Sequence, residues 1–161
     1  MSDYIDIRHV YPVGRLDYDS EGLMILTDDG EFNNSLSDPK HKKPKTYLAQ
    51  VEGIATKEQA EKLSKGVMIE GRKTLPAVVK LIDEPKLWER STPIRFRKLI
   101  PTSWLEISIV EGKNRQVRKM TAAVGLPCLR LVRIKIGEYS LGELEPGQYK
   151  ISSKLQIPNS K

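Results

Sequence analysis

The chain has 161 residues, 39% of them hydrophobic and 30% charged, with a mean hydropathy of −0.44 and a net charge of +6. That balance belongs to a folded, water-exposed chain rather than a disordered one, and no apolar run approaches the roughly 20 residues needed to span a bilayer. The single cysteine, Cys128, excludes an internal disulfide and a cysteine-based zinc cluster, and its apolar neighbours mark it as a small buried hydrophobe rather than a nucleophile.

The length suits one domain over residues 1–161. The opening Met-Ser-Asp-Tyr-Ile-Asp lacks the basic-then-apolar order of a signal peptide, so a cytoplasmic protein is expected. The basic surplus favours nucleic acid as a partner. It falls in clusters: Lys40, Lys42, Lys43 and Lys45; Arg90, Arg95, Arg97 and Lys98; Lys113, Arg115, Arg118 and Lys119; then Arg130, Arg133 and Lys135. A charge run is commonly a solvated face. Separated clusters that converge in space are an electrostatic footprint.

In chain order, Tyr4, Ile5 and Ile7 alternate before Pro12. Residues 13–30 then place Asp17, Asp19 and Glu21 in a glycine-flanked acidic loop. The loop feeds Leu23-Met24-Ile25-Leu26, a run of buried-strand length that stops at Asp28-Asp29-Gly30. A short helix is expected over 31–36, capped by Asp29 and ended at Asp38-Pro39. A basic loop follows, then a strand over Thr46–Glu52 stopped at Gly53. Thr56 and Gln59 match a capping box for a helix to Lys65, with Gly66 as its stop and little apolar content beyond Ala60 and Leu63. Strands are expected at 67–69 and 75–82 around a turn at 70–72, with Pro76 marking an edge or a strand start.

Residues 83–101 read as a long irregular loop, a kind usually functional or disordered. Ser103–Glu111 is the clearest strand, with Leu105, Ile107 and Ile109 on one side. Asn114 is expected to cap a helix running to about Val124, with Val117, Met120 and Val124 as its apolar stripe. Arg115, Arg118 and Lys119 share a basic face at i, i+3, i+4. Leu129–Ile136 alternates again, and Gly147–Ile151 reads as a last short strand. Residues 152–161 read as a flexible tail. Many strands with few helices and no strict alternation give an α+β fold with a mostly antiparallel mixed sheet. No glycine-rich phosphate loop, internal repeat or low-complexity tract is present.

Three acids beside Arg15 can be a solvated loop with a surface ion pair worth about 0–1 kcal/mol. The motif says more. Gly14-Arg15-Leu16-Asp17, Asp19-Ser20-Glu21-Gly22-Leu23 and Leu26-Thr27-Asp28-Asp29-Gly30 together resemble the central motif of the pseudouridine synthases of the RsuA-like, rRNA-modifying branch. Lys45-Thr46-Tyr47 resembles that family's Lys-x-Tyr motif. Residues 111–120 resemble its Gly-x-x-x-Gln-Val-Arg-x-Met segment, and Leu129–Ile134 its closing motif. The likeness covers roughly residues 12–151. Trp88 through Trp104 resembles a subgroup acting on large-subunit rRNA that lacks a small N-terminal RNA-binding module.

The resemblance implies a sheet with helices packed on it and an RNA cleft across it. It implies a specific uridine of large-subunit rRNA isomerised on a flipped-out nucleotide. Asp17 is then the catalytic carboxylate, Arg118 the basic residue paired with it, and Tyr47 the ring that stacks on the uracil. Arg15 would fill the space the base leaves, and Leu131 would line the pocket. Lys45, Lys113, Arg115 and Lys119 would contact RNA. The reaction gains and loses no electron and imports no group, so no cofactor and no metal are expected. The expected protein is a monomer with no membrane association. One departure concerns the family's first strand, which ends in a Lys-Pro motif. Only twelve residues precede Val13, so that strand is expected to be missing.

Two other readings carry distinct consequences. An inert RNA-binding fragment would show salt-sensitive binding without turnover. A glycoside hydrolase would use a carboxylate pair such as Asp17 and Glu21, although the aromatic content of 6% and the positive charge suit RNA better.

Overall fold

The computed structural model describes residues 9–90 and 100–151. Tyr4, Ile5, Ile7, Arg95, Arg97, Lys98 and the 152–161 tail lie outside the described residues.

A mixed sheet carries the molecule. Its main strands are β4 (Lys45–Glu52), β7 (Val78–Ile82), β8 (Thr102–Ile109) and β9 (Cys128–Ile136). Short strands precede and follow them: β1 (Tyr11–Pro12), β2 (Glu21–Gly22), β3 (Leu26–Thr27), β5 (Met68–Ile69), β6 (Arg72–Lys73) and β10 (Tyr139–Ser140). The order is β10-β9-β4-β8-β7, with β2 also pairing with β9. Every described pairing in this sheet is antiparallel except β2 with β9, where Glu21 lies opposite Val132 and Gly22 opposite Arg133. Two two-stranded ribbons, β1–β3 and β5–β6, stand apart from it. The α+β reading with a mostly antiparallel mixed sheet therefore holds.

Alternation along β4 and β8 sets the two faces. Ala49, Val51, Leu105, Ile107 and Ile109 point to one side and meet Leu63, Val117 and Met120. Leu63 comes from helix α2 (Lys57–Lys65), the other two from helix α3 (Gln116–Ala123). Leu105 and Ile107 have no exposed surface, and each such side chain contributes about 1.5–3 kcal/mol by burial. On the opposite face Leu48, Trp104 and Val132 pack with Leu87 and Trp88. A third cluster of Val13, Leu23, Leu36 and Ile136 seats helix α1 (Gly30–Ser37) at the sheet's edge.

Local signals fix several ends. The Asp29 carboxylate accepts from the amides of Glu31 at 2.9 Å and Phe32 at 3.2 Å. Thr56 and Gln59 form the full capping box on α2. Gly66 closes that helix at φ 103°, where an added Cβ would lie 2.3 Å from the Thr74 carbonyl oxygen.

Other expectations need correction. Leu23–Leu26 is not one strand. Gly22 at φ 114° lies so close to the Arg133 backbone that an added Cβ would sit 2.2 Å from its oxygen, and the chain then leaves β9 to pair with β1 instead. β7 begins at Val78, after Pro76, and Arg72 belongs to β6 rather than to the turn. β8 ends at Ile109, short of Glu111. Gly147–Ile151 forms no strand, whereas Tyr139–Ser140, which carries no alternation signal, pairs with β9. The cap of α3 is Arg115, not Asn114; it sits in the left-handed region at φ 50° and makes no side-chain capping bond. Arg133, a member of a basic cluster in the alternating Leu129–Ile136 stretch, is buried beside a register shift between β4 and β9.

Candidate active site

The loop between β1 and β3 is held against β9 and the start of α3. Within it Asp17 opens a tight turn. The Ser20 amide donates to the Asp17 carbonyl at 2.9 Å, with Tyr18 and Asp19 at the corner. Tyr18 is fully exposed, whereas Asp17 is about a fifth exposed at its side chain.

Arginines from three other stretches of the chain grip this turn. Arg115 donates to both carboxylate oxygens of Asp19, at 3.0 and 2.9 Å, and its Nη1 also stands 3.6 Å from Asp17 Oδ2. Arg118 donates to the Asp19 carbonyl at 3.0 Å and to Ser20 Oγ at 3.4 Å. Arg90 reaches the same Asp19 carbonyl at 3.1 Å and the Leu129 carbonyl at 3.1 Å. Arg133, buried in β9, donates to the Leu23 carbonyl from Nε at 3.0 Å and Nη2 at 2.8 Å. Its Nη1 reaches the Arg15 carbonyl at 3.3 Å.

Charge follows this geometry. The Arg115 hydrogen bond outweighs partial burial and, with the charges of Arg118 and Arg115 itself, lowers the Asp19 carboxyl to about 2. Burial, with Arg133 nearby, lowers the Lys45 ammonium below its ordinary value. The Cys128 thiol is pushed up to about 11 by burial, which suits a packed side chain and not a nucleophile.

The expected site residues fall out as follows. Among the described residues the cation in ion-pair range of Asp17 is Arg115; Arg118, expected to pair with Asp17, meets Asp19 and Ser20 instead. Tyr47 lies half-buried on β4 opposite Arg133 and packs on the cluster that contains Leu131. Leu131 itself is buried opposite Ala49. Arg133, which lies opposite Tyr47 in the sheet, bonds the carbonyls of Arg15 and Leu23 in the loop that carries Asp17. Lys45 extends beside Gly112. Arg15 and Lys113 are exposed. Lys119 does not continue the basic face: it pairs with Glu70 in the β5–β6 turn.

Motif reading did not foresee Glu21, Trp88, Arg90, Arg130 and Arg133 as a set. Glu21 accepts from Arg130 Nε at 2.9 Å, Arg130 Nη2 at 3.0 Å and the Trp88 indole at 2.8 Å. The available signal was an acid one residue past a turn, together with two arginines among the apolar residues of a strand. Among the described residues no group of three or more His, Cys, Asp or Glu is arranged to hold a metal.

An acid on a turn held by guanidiniums is equipped to act on a substrate as nucleophile or base. Comparison with known proteins places the chain in a family. The family model described as RNA pseudouridylate synthase matches residues 4–123. "Ribosomal large subunit pseudouridine synthase E" of Vibrio parahaemolyticus is 55% identical over 93% of this chain, which spans 63% of that protein's length. The protein of the same name from Xanthomonas campestris is 54% identical over 92% of this chain and 80% of its own. A crystal structure of a pseudouridylate synthase, 29% identical, superposes with a TM-score of 0.79 over 97% of this chain and 63% of that one. The chain belongs to the RNA pseudouridylate synthase family.

Proposed function

We propose that the protein isomerises a specific uridine of large-subunit rRNA to pseudouridine, with the Asp17 carboxylate acting on a nucleotide flipped out of its stack. The observation that carries this reading is the placement of Asp17, on a turn clamped from several sides and within ion-pair range of Arg115. Family membership and the names of the relatives support it.

The reaction breaks the N1–C1′ bond and forms a C5–C1′ bond. N1 gains a proton and C5 loses one, so the change needs no oxidant or imported group. Asp17 is the residue that reaches the sugar or the base, with Arg115 in ion-pair range beside it. Flipping costs a few kcal/mol. Stacking of the uracil on Tyr47 returns about 1–3 kcal/mol, and Arg15, exposed at the loop's start, fills the vacated stack. Leu131 forms the aliphatic wall under the ring. Lys45 and Lys113 meet phosphates, with Lys119 beside them once its pair with Glu70 opens. Arg118 acts as a catalytic-site residue by holding the Asp19 carbonyl and the Ser20 hydroxyl. The protein acts as a monomer in the cytoplasm. No described helix is long and apolar enough to cross a membrane.

The test is tritium release from RNA carrying 5-tritiated uridine. Asp17→Asn should lose release to background while binding the same RNA. Full release by that variant would overturn the assignment, and binding without any release by the unaltered chain would favour an inert RNA-binding fragment.

A further inference from the structure

Glu21 follows directly on the turn that carries Asp17. β2 carries it, one residue beyond the turn that begins at Asp17. Its carboxylate is mostly buried and takes both ends of a bidentate Arg130 pair, a geometry that fixes orientation as well as charge. Trp88 donates its indole N–H to the same carboxylate, and Arg90 Nε stands 3.4 Å away. Arg130 is itself constrained: it donates to the Trp88 carbonyl at 2.9 Å and its guanidinium lies 5.7 Å from that indole's centroid. Arg90 passes through to the other side of the loop, to the Asp19 carbonyl. The irregular run before the undescribed residues 91–99 is therefore tied to the loop at Glu21 and at the Asp19 carbonyl.

From this we infer that Glu21 is a positioning residue for Asp17. The path is short. Arg130, Trp88 and Arg90 hold Glu21; Glu21 anchors β2 on β9; and Ser20, the neighbouring residue, closes the turn on the Asp17 carbonyl. Arg90 and Arg118 hold Asp19 within that turn. Freeing Glu21 lets the turn pivot, and the Asp17 carboxylate moves relative to a bound nucleotide. A misplacement of about 1 Å can cost on the order of 100-fold in rate. Substrate contacts are made by other side chains, so affinity is not expected to change. The inference rests on the reading of Asp17 as the reacting acid.

The experiment uses Glu21→Gln, which keeps shape and removes charge, and Trp88→Phe, which removes the indole N–H bond and trims the ring that packs on Leu48 and Val132. Three quantities are measured: the single-turnover rate at saturating RNA, the RNA Kd, and amide exchange by mass spectrometry. Expected are a rate lowered on the order of 10- to 100-fold for Glu21→Gln, a smaller fall for Trp88→Phe, and an unchanged Kd. Exchange should quicken at residues 17–22 while β4 and β8 keep their protection. A wild-type rate with wild-type protection at 17–22 would overturn the inference. So would a loss of protection spread evenly over the sheet, since that marks a purely structural role. If Glu21→Gln does not fold, Trp88→Phe decides by the same readings. If the unaltered chain shows no turnover, the isomerase reading fails, and exchange at 17–22 still decides whether Glu21 holds the turn.

Discussion

Arg115 shows how one side chain serves two geometries. Its backbone adopts the left-handed region at the start of α3, a conformation non-glycine residues rarely take. In exchange its guanidinium reaches Asp19 and Asp17. Removing it has a defined electrostatic consequence. The Asp19 carboxyl, held at about 2, should rise toward its ordinary 3.8 in Arg115→Ala, read by carbonyl NMR titration. The sign for stability follows. An acid whose folded pKa lies below its unfolded value stabilises the fold above that unfolded value and loses the contribution as pH falls. For Asp19 the loss runs from about pH 4 down to about 2, and Arg115→Ala should remove it. Gly22 gives a second prediction at this scale. Alanine there would drive its Cβ into the Arg133 backbone at φ 114°, so Gly22→Ala should destabilise by more than about 1 kcal/mol in urea unfolding.

Elements differ in where their ends come from. α2 is closed by its own residues, and the Gln59 amide nitrogen also donates to the Val124 carbonyl at 2.9 Å. Thr56→Ala should therefore cost about 1 kcal/mol in chemical denaturation. The start of α3 depends on distant partners. Glu111, buried before it, accepts from the Leu75 amide at 2.6 Å, from Arg72 at 3.1 Å and from Gln116 at 3.0 Å. Burial pushes this carboxyl up, but the hydrogen bonds from Leu75 and Gln116, together with Arg72, leave it below its ordinary value. Its contribution is therefore present above the ordinary glutamate pKa and fades as pH falls through the lower folded value. In Glu111→Gln the acid-unfolding curve followed by circular dichroism should lose that part of its pH dependence. The same contrast explains what was legible in the sequence. The α2 capping box and the β8 alternation are written in neighbouring residues. The break after Gly22 depends on where β9 lies, more than a hundred residues later.

At the scale of the molecule, the net charge of +6 overstates what is free to meet a polyanion. Arg90, Arg115, Arg118, Arg130 and Arg133 are turned inward onto the loop's carbonyls and acids. The sequence clusters that contain them do mark the site, though as its scaffold as much as its RNA surface. The motifs located the acidic loop, but which guanidinium faces Asp17 depended on a backbone twist at Arg115 that no spacing rule encodes. Salt dependence can separate the two populations of charge. Lys113→Ala should reduce the slope of log K against log salt by about one. Arg130→Met should leave that slope unchanged and lower thermal stability.

Trp88 also makes the loop visible. The chain has two tryptophans, and Trp104 is sealed in the core, while the Trp88 indole is bonded to the acid beside the turn. RNA docked against that turn should alter the surroundings of this fluorophore, a label-free optical signal that stopped-flow mixing reads.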